Sequence, residues 1–167
     1  MPESNNQNFN HLKIHTQYSI CEGAIKIEKL KDFCKENKIP CLGLSDTSNL
    51  FGALEFSENI SKVGTQPIIG TQIYFKFEDT TGLLPLIALN QKGYKRIIEL
   101  SSKSYLENDT LSDPHLDIRE LLTKTDGVLL LSGTIQGLFG KLFEKGRLEA
   151  VSYTHLRAHE NRHDLVC

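Results

Sequence analysis

The sequence predicts an α/β fold: a partial (β/α) barrel with mostly parallel strands, cut off before closure. Three observations predict it. Short apolar runs alternate with amphipathic segments along the chain, the pattern of parallel strands joined by crossover helices. Polar residues with chemical potential fall where apolar runs end, as they do at the carboxyl ends of barrel strands. The chain has 167 residues, whereas a closed barrel takes about 250. A sheet edge is therefore expected to stay open, leaving a species prone to aggregate or remain partly molten.

Each element follows in order. Residues 1–8, "MPESNNQN", are polar and expected to be disordered. "NFNHLKIHT" alternates, with Phe9, His11, Lys13 and His15 on one side and Leu12 and Ile14 on the other, which predicts a first strand. "AIKIEKLKDFCKENK" carries Ile27, Leu30, Phe33 and Cys34 at helical spacing. "IPCLGLSD" reads as a buried strand. Ser48 or Asn49 is placed to cap a helix over "LFGALEFSENISKVG". "QPIIGTQIYFKF" and "LLPLIALN" are the next two strands. "KGYKRIIELSSKSYL" is helical, anchored by Tyr94, Ile97, Ile98 and Leu106; "DIRELLTKT" is a shorter helix. "GVLLLSG" is a further strand and "TIQGLFGKLFEKG" a helix. This order brings His15, Asp46 and Gln72 to neighbouring strand ends.

Composition narrows the function classes. The formal net charge is −2, so no strongly basic face is expected and the segment alone should not grip a phosphate backbone. Cys21, Cys34, Cys41 and Cys167 show no C-x-x-C spacing, which favours free thiols in a reducing compartment over a disulfide or zinc site. There is no secretory h-region and no apolar run of membrane-spanning length. A soluble cytoplasmic location is expected, with no membrane partner.

The character changes at about Val151. "VSYTHLRAHENRHDLVC" places His155, His159 and His163 four apart, the helical spacing of zinc ligands. It has little apolar periodicity and interrupts the strand–helix alternation. It also closely resembles translated sequencing-adapter DNA. The expectation is a non-native tail over 151–167 following a partial domain over 9–150, to be excluded from functional reasoning. A His-rich metal helix is the minority reading.

The remaining chemistry lies in "HLKIHTQYSICEGAIKIEKL" and in "LGLSDTSNLFGALEF" followed by "QPIIGTQIYF". These segments resemble the PHP (polymerase and histidinol phosphatase) domain family, in the form that begins bacterial DNA polymerase III alpha subunits. The likeness runs from about Phe9 to Ala150 and includes "GYKRIIELSSKSYL" and "GVLLLSG". It implies a PHP-type barrel, whose intact sites hold metal ions that activate water against a phosphoester. The same likeness implies that the donor set here has decayed. The family's H-x-H pair falls on Lys13 and His15, its Asp-His pair on Asp46 and Thr47, its Glu on Gln72, and a further histidine near Leu83. A lysine at a ligand position adds positive charge where cations would sit, and Gln72 removes a negative one. Lys13 is expected to pair with Asp46.

The resemblance further implies an inactive scaffold, with no cofactor of its own, inside a longer DNA-directed DNA polymerase. The polymerase carboxylates and their Mg²⁺ would lie downstream. Expected partners are the remainder of the alpha chain, a proofreading exonuclease subunit, and DNA through the parent chain. One alternative is a metal-dependent phosphoesterase using His11, His15 and Asp46. Another is an interaction module with no parent enzyme. Gly23, after Glu22, is expected to serve a turn; His115 reads as a surface residue; Ser132 and Gly133 read as a strand-to-helix turn able to offer backbone amides to a phosphate.

Overall fold

Burial at helical spacing sets the first helix. Ile27, Leu30 and Cys34 lie buried along α1 (Ile27–Asn37), which Lys38 ends in the left-handed region at φ 50°. The structure, a computed structural model, describes residues 9–108, 112–147 and 149. β1 (Cys41–Thr47) follows, then α2 (Ala53–Ser61), β2 (Gln66–Phe77) and β3 (Thr80–Ala88). α3 (Gln91–Leu106), β4 (Leu116–Asp117), α4 (Ile118–Thr123), β5 (Val128–Leu130) and α5 (Leu138–Glu144) complete the described chain.

The sheet is mixed, which corrects the expectation of mostly parallel strands. Its order is β1-β2-β3-β5, with β4 also pairing β2. β2 runs parallel to β1 and β4 but antiparallel to β3, and β3 is antiparallel to β5. Only Glu78 and Asp79 separate β2 from β3. Two residues close a hairpin, whereas a parallel pair needs a crossover of about a dozen residues or more. Arg147 pairs with both turn carboxylates, and Lys145 with Asp79. The sheet is open among the described residues, with β5 paired to β3 alone.

The expected first strand is reduced to isolated bridges, Ile14 to Leu44 and Thr16 to Ile25. Residues 11–14 still cover the outer edge of β1. Gly43 N donates to His11 O at 2.7 Å, Ile14 N to Gly43 O at 3.0 Å, and Ser45 N to Ile14 O at 2.8 Å. The ladder stops because the Thr16 N–H goes to the Asp46 carboxylate rather than to a strand neighbour.

Two helical expectations change. α2 begins at Ala53 behind Gly52, with no side-chain cap; Asn49 Oδ1 accepts instead from Phe51 N at 3.1 Å, a local turn ahead of the helix. α3 buries Gly93, Arg96, Ile97, Leu100 and Ser104, while Ile98 and Leu106 are exposed. Arg96 tolerates that burial because Glu99 and the Glu120 carbonyl take its guanidinium.

Two apolar clusters hold the fold. Ile27, Leu42, Leu44, Phe56 and Ile60 pack α1 and α2 on β1. Ile73, Phe75, Leu84, Ile97, Leu121, Leu138 and their neighbours pack α3, α4 and α5 on β2 and β3. Leu50 touches both. Cys34 is buried, Cys41 half-buried and Cys21 exposed, all as free thiols; burial pushes the Cys34 thiol up. Cys167 lies outside the described residues. Among the described residues no helix is long and apolar enough to cross a membrane.

Candidate functional site

The end of β1 carries Asp46 and Thr47, and parallel register sets Thr47 opposite Gln72 on β2. The loop from His15 to Gly23 folds back over this point. Asp46 has no exposed surface. Its carboxylate accepts from Thr16 N at 2.6 Å, from the Thr16 hydroxyl at 2.7 Å and from the Ser19 hydroxyl at 2.8 Å. Ser19 Oγ in turn accepts from Thr47 N at 3.0 Å. The buried anion is thereby satisfied as its burial requires, and it anchors the loop to the strand end. Gly23 N closes the turn on Ser19 O at 2.9 Å. Tyr18 OH donates to Glu55 Oε2 at 2.7 Å, tying the loop to α2, and that bond holds the phenol above its ordinary pKa.

Above Asp46 lies a second layer. Gln72 Nε2 stands 3.3 Å from His15 Nε2 and donates to Thr47 Oγ1 at 3.2 Å. Thr47 Oγ1 donates to Glu22 Oε2. His15 Nδ1 is 3.3 Å from Ser19 Oγ and 3.7 Å from Glu22 Oε2. An amide nitrogen only donates, so His15 Nε2 accepts and the ring proton sits on Nδ1, facing Ser19 and Glu22. The lone pair His15 would offer a metal is thus taken by Gln72.

Lys13, His15, Glu22, Gln72 and Leu83 line one cavity of about 190 Å³, closed by Gly133, Thr134, Gln136 and Gly137. The structure therefore gathers Lys13, His15 and Gln72 around one space, with Asp46 and Thr47 joined to it by hydrogen bonds. It also brings Leu83 to that space and sets Gly133 in its wall. The expected Lys13–Asp46 pair does not form. Lys13 is exposed, and all three donors to Asp46 come from Thr16 and Ser19. The alternative donor set of His11, His15 and Asp46 is not brought together either. The His11 ring sits edge-on to Phe9 with centroids 4.7 Å apart. Among the described residues no three His, Cys, Asp or Glu side chains are grouped to hold an ion. His115 lies elsewhere, with Nδ1 2.8 Å from Asp113 O. His155, His159 and His163, like residues 1–8, fall outside the described residues.

Glu22 is the functional neighbour that sequence reasoning placed only in a loop. Its signal is weak: one acid just before a turn glycine, in a loop that must return over the strand end. These residues do not fit a divalent metal. The one buried carboxylate is spent on three donors, the one imidazole faces an amide, and the cavity wall carries an ammonium.

The PHP domain family matches residues 11–161, and the chain belongs to that family. The matched range runs past residue 150. More particularly, the chain is similar to the N-terminal region of DNA polymerase III subunit alpha. It is 35% identical to that protein of Caulobacter vibrioides over 165 residues, covering 91% of this chain and 14% of the relative. It is 37% identical to that of Rickettsia felis over 134 residues, covering 80% of this chain and 11% of the relative. The chain thus spans about one seventh or less of the length of these curated relatives. Among solved structures, an amidohydrolase from Chromobacterium violaceum aligns with a TM-score of 0.47 and 15% identity, over 57% of this chain and 32% of that one.

Proposed function

We infer that this chain is the N-terminal PHP segment of a bacterial replicative DNA polymerase alpha chain, and that the segment works as a metal-free scaffold. One observation carries the scaffold reading: the amide of Gln72 occupies the coordinating nitrogen of His15. The site is closed on itself by hydrogen bonds that join Gln72, His15, Thr47 and Glu22. Template-directed nucleotidyl transfer would belong to carboxylates and Mg²⁺ elsewhere in the parent, the usual two-metal arrangement. The segment would sit in the bacterial cytoplasm with that parent.

A second observation supports packing against a larger body. Phe51, Tyr94, Ile98 and Tyr105 line a groove of about 460 Å³ between the start of α2 and α3, and Phe51 is 75% exposed. The occupant proposed is the downstream polypeptide of the same alpha chain; the docking place of a proofreading exonuclease subunit is left to the rest of the surface.

Titration calorimetry with Zn²⁺ and Mn²⁺, paired with turnover of bis-p-nitrophenyl phosphate, tests the scaffold reading. No tight uptake and no metal-dependent turnover are expected. Micromolar binding with hydrolysis would replace the scaffold with a phosphoesterase. An independent long read of the gene across the codon for Ala150 tests the parent. The frame is expected to continue into further strand–helix units and a polymerase region, without the segment from Val151 to Cys167.

A further inference from the structure

The whole-chain charge of −2 predicts no face for a polyanion, yet the fold concentrates cations in one place. Lys92, Lys95, Arg96 and Lys124 line a groove of about 290 Å³, with Glu99 and Asp126 as its acids. Glu99 is already paired with Arg96 at 3.0 Å. Lys92, Lys95 and Lys124 are exposed and form no ion pair among the described residues within 4.0 Å. Three exposed ammonium groups therefore share the groove with Asp126, and Lys124 also acts on Glu99 through its charge.

The backbone holds this arrangement rigidly. Leu89 N donates to Gly127 O at 2.8 Å, and Gly93 lies so close that a Cβ there would meet Gly127 O at 1.8 Å. That approach fixes the start of α3 against the turn carrying Lys124 and Asp126. Lys92 and Lys95 stand three apart on one helical face. The first turn of α3 contains no acid, so lysine charge adds to the positive end of the helix dipole instead of offsetting it. Arg96, 7% exposed, is held by Glu99 and by the Glu120 carbonyl, so the lysines are the cations open to a ligand.

We propose that this groove is a contact for the phosphate backbone of duplex DNA. The site lies apart from the cavity around Gln72. Its ligand chemistry is that of successive phosphates, one for each exposed lysine. The choice of DNA rests on the polymerase reading above.

The test is fluorescence anisotropy of a short labelled DNA duplex against the 167-residue chain across a salt series. Three phosphate contacts give a log–log salt slope of about −2.7. Lys92→Gln should remove about 0.9 of that slope. Lys92→Gln/Lys95→Gln/Lys124→Gln should flatten it and weaken low-salt binding at least about tenfold. These side chains are exposed, and an unchanged circular dichroism spectrum confirms that the variants fold. No binding by the parent chain, an unchanged slope in the triple variant, or equal affinity for a poly-glutamate probe overturns the proposal. The polymerase reading stands or falls separately, on the reading frame beyond Ala150.

Discussion

Replacing Asp46 tests whether the loop over β1 is held by one buried anion. Asp46→Ala removes the acceptor of three donors, at 2.6, 2.7 and 2.8 Å. Two of them are hydroxyls, and these can turn. The Thr16 N–H cannot, because the backbone fixes it. An orphaned buried donor costs about 1–3 kcal/mol, and hydrogen bonds to a charged group are worth about 1.5–3 kcal/mol each. Allowing the hydroxyls to find other acceptors, the loss should be about 3 kcal/mol. Asp46→Asn keeps one oxygen for Thr16 N and Ser19 and reverses polarity only toward the Thr16 hydroxyl. It should cost about 1–2 kcal/mol, within the range for a single compromised bond. Urea unfolding with a constant m-value measures both. Amide exchange at Thr16 and Thr47 should accelerate in Asp46→Ala ahead of exchange in β3. A midpoint within about 0.5 kcal/mol of the parent, the range of neutral surface changes, with Thr16 exchange unaltered, would show that the carboxylate does not anchor the loop.

Restoring donors should reverse the chemistry. Lys13→His/Thr47→His/Gln72→Glu is expected to take up Zn²⁺ or Mn²⁺ in calorimetry where the parent does not, and failure to do so would mean that the loop, not the side chains, excludes the ion. Gly43→Ala should strip residues 11–14 from the edge of β1, because the added Cβ would meet Leu12 Cα at 2.6 Å; overpacking of this kind costs about 1–3 kcal/mol, and faster exchange of the Ile14 and Ser45 amides is the readout. Acid should weaken the fold through Glu99. The Arg96 hydrogen bond and charge hold its carboxyl below the ordinary glutamate value of 4.5, so its contribution is present above that value and is lost as pH falls through the lower folded one. Glu99→Gln should flatten the acid limb of a plot of urea midpoint against pH; an unchanged limb would assign it to other groups.

Much of the fold was legible because the local pattern and the tertiary demand agree. "QPIIGTQIYFKF" coincides with β2 at both ends, and α1, α4 and α5 fall within the segments whose periodicity predicted them. Strand direction was not legible from apolar runs, since it depended on how few residues separate Phe77 from Thr80. The buried face of α3 was misjudged at Ile98 and Leu106, because Arg96 and Gly93 take core positions through partners outside the helix. At the site, Lys13, His15 and Gln72 could be placed together because residues 11–14 run along one edge of β1 while β2 pairs its other edge. The fate of Asp46 could not. Its donors lie 30 and 27 residues away in a loop, and nothing in the spacing of a Thr and a Ser marks them as partners of one carboxylate.

β2 has a divided allegiance. Its first part, up to Gln72, is paired with β1; Phe75 and Lys76 are paired with β4; β3 runs along the other side. The first apolar cluster gathers around β1, and the second takes in β2 itself together with β3 and β4. Lys13, His15 and Glu22 come from the segment ahead of α1, whereas Leu83 comes from β3 and Gly133 from the segment after β5. The cavity is therefore a seam as well as a pocket. Fraying of the amino-terminal half would part its two walls while leaving Gln72 and Leu83 on strands still paired to each other, so anything that stitches across the gap would fasten one half of the molecule to the other.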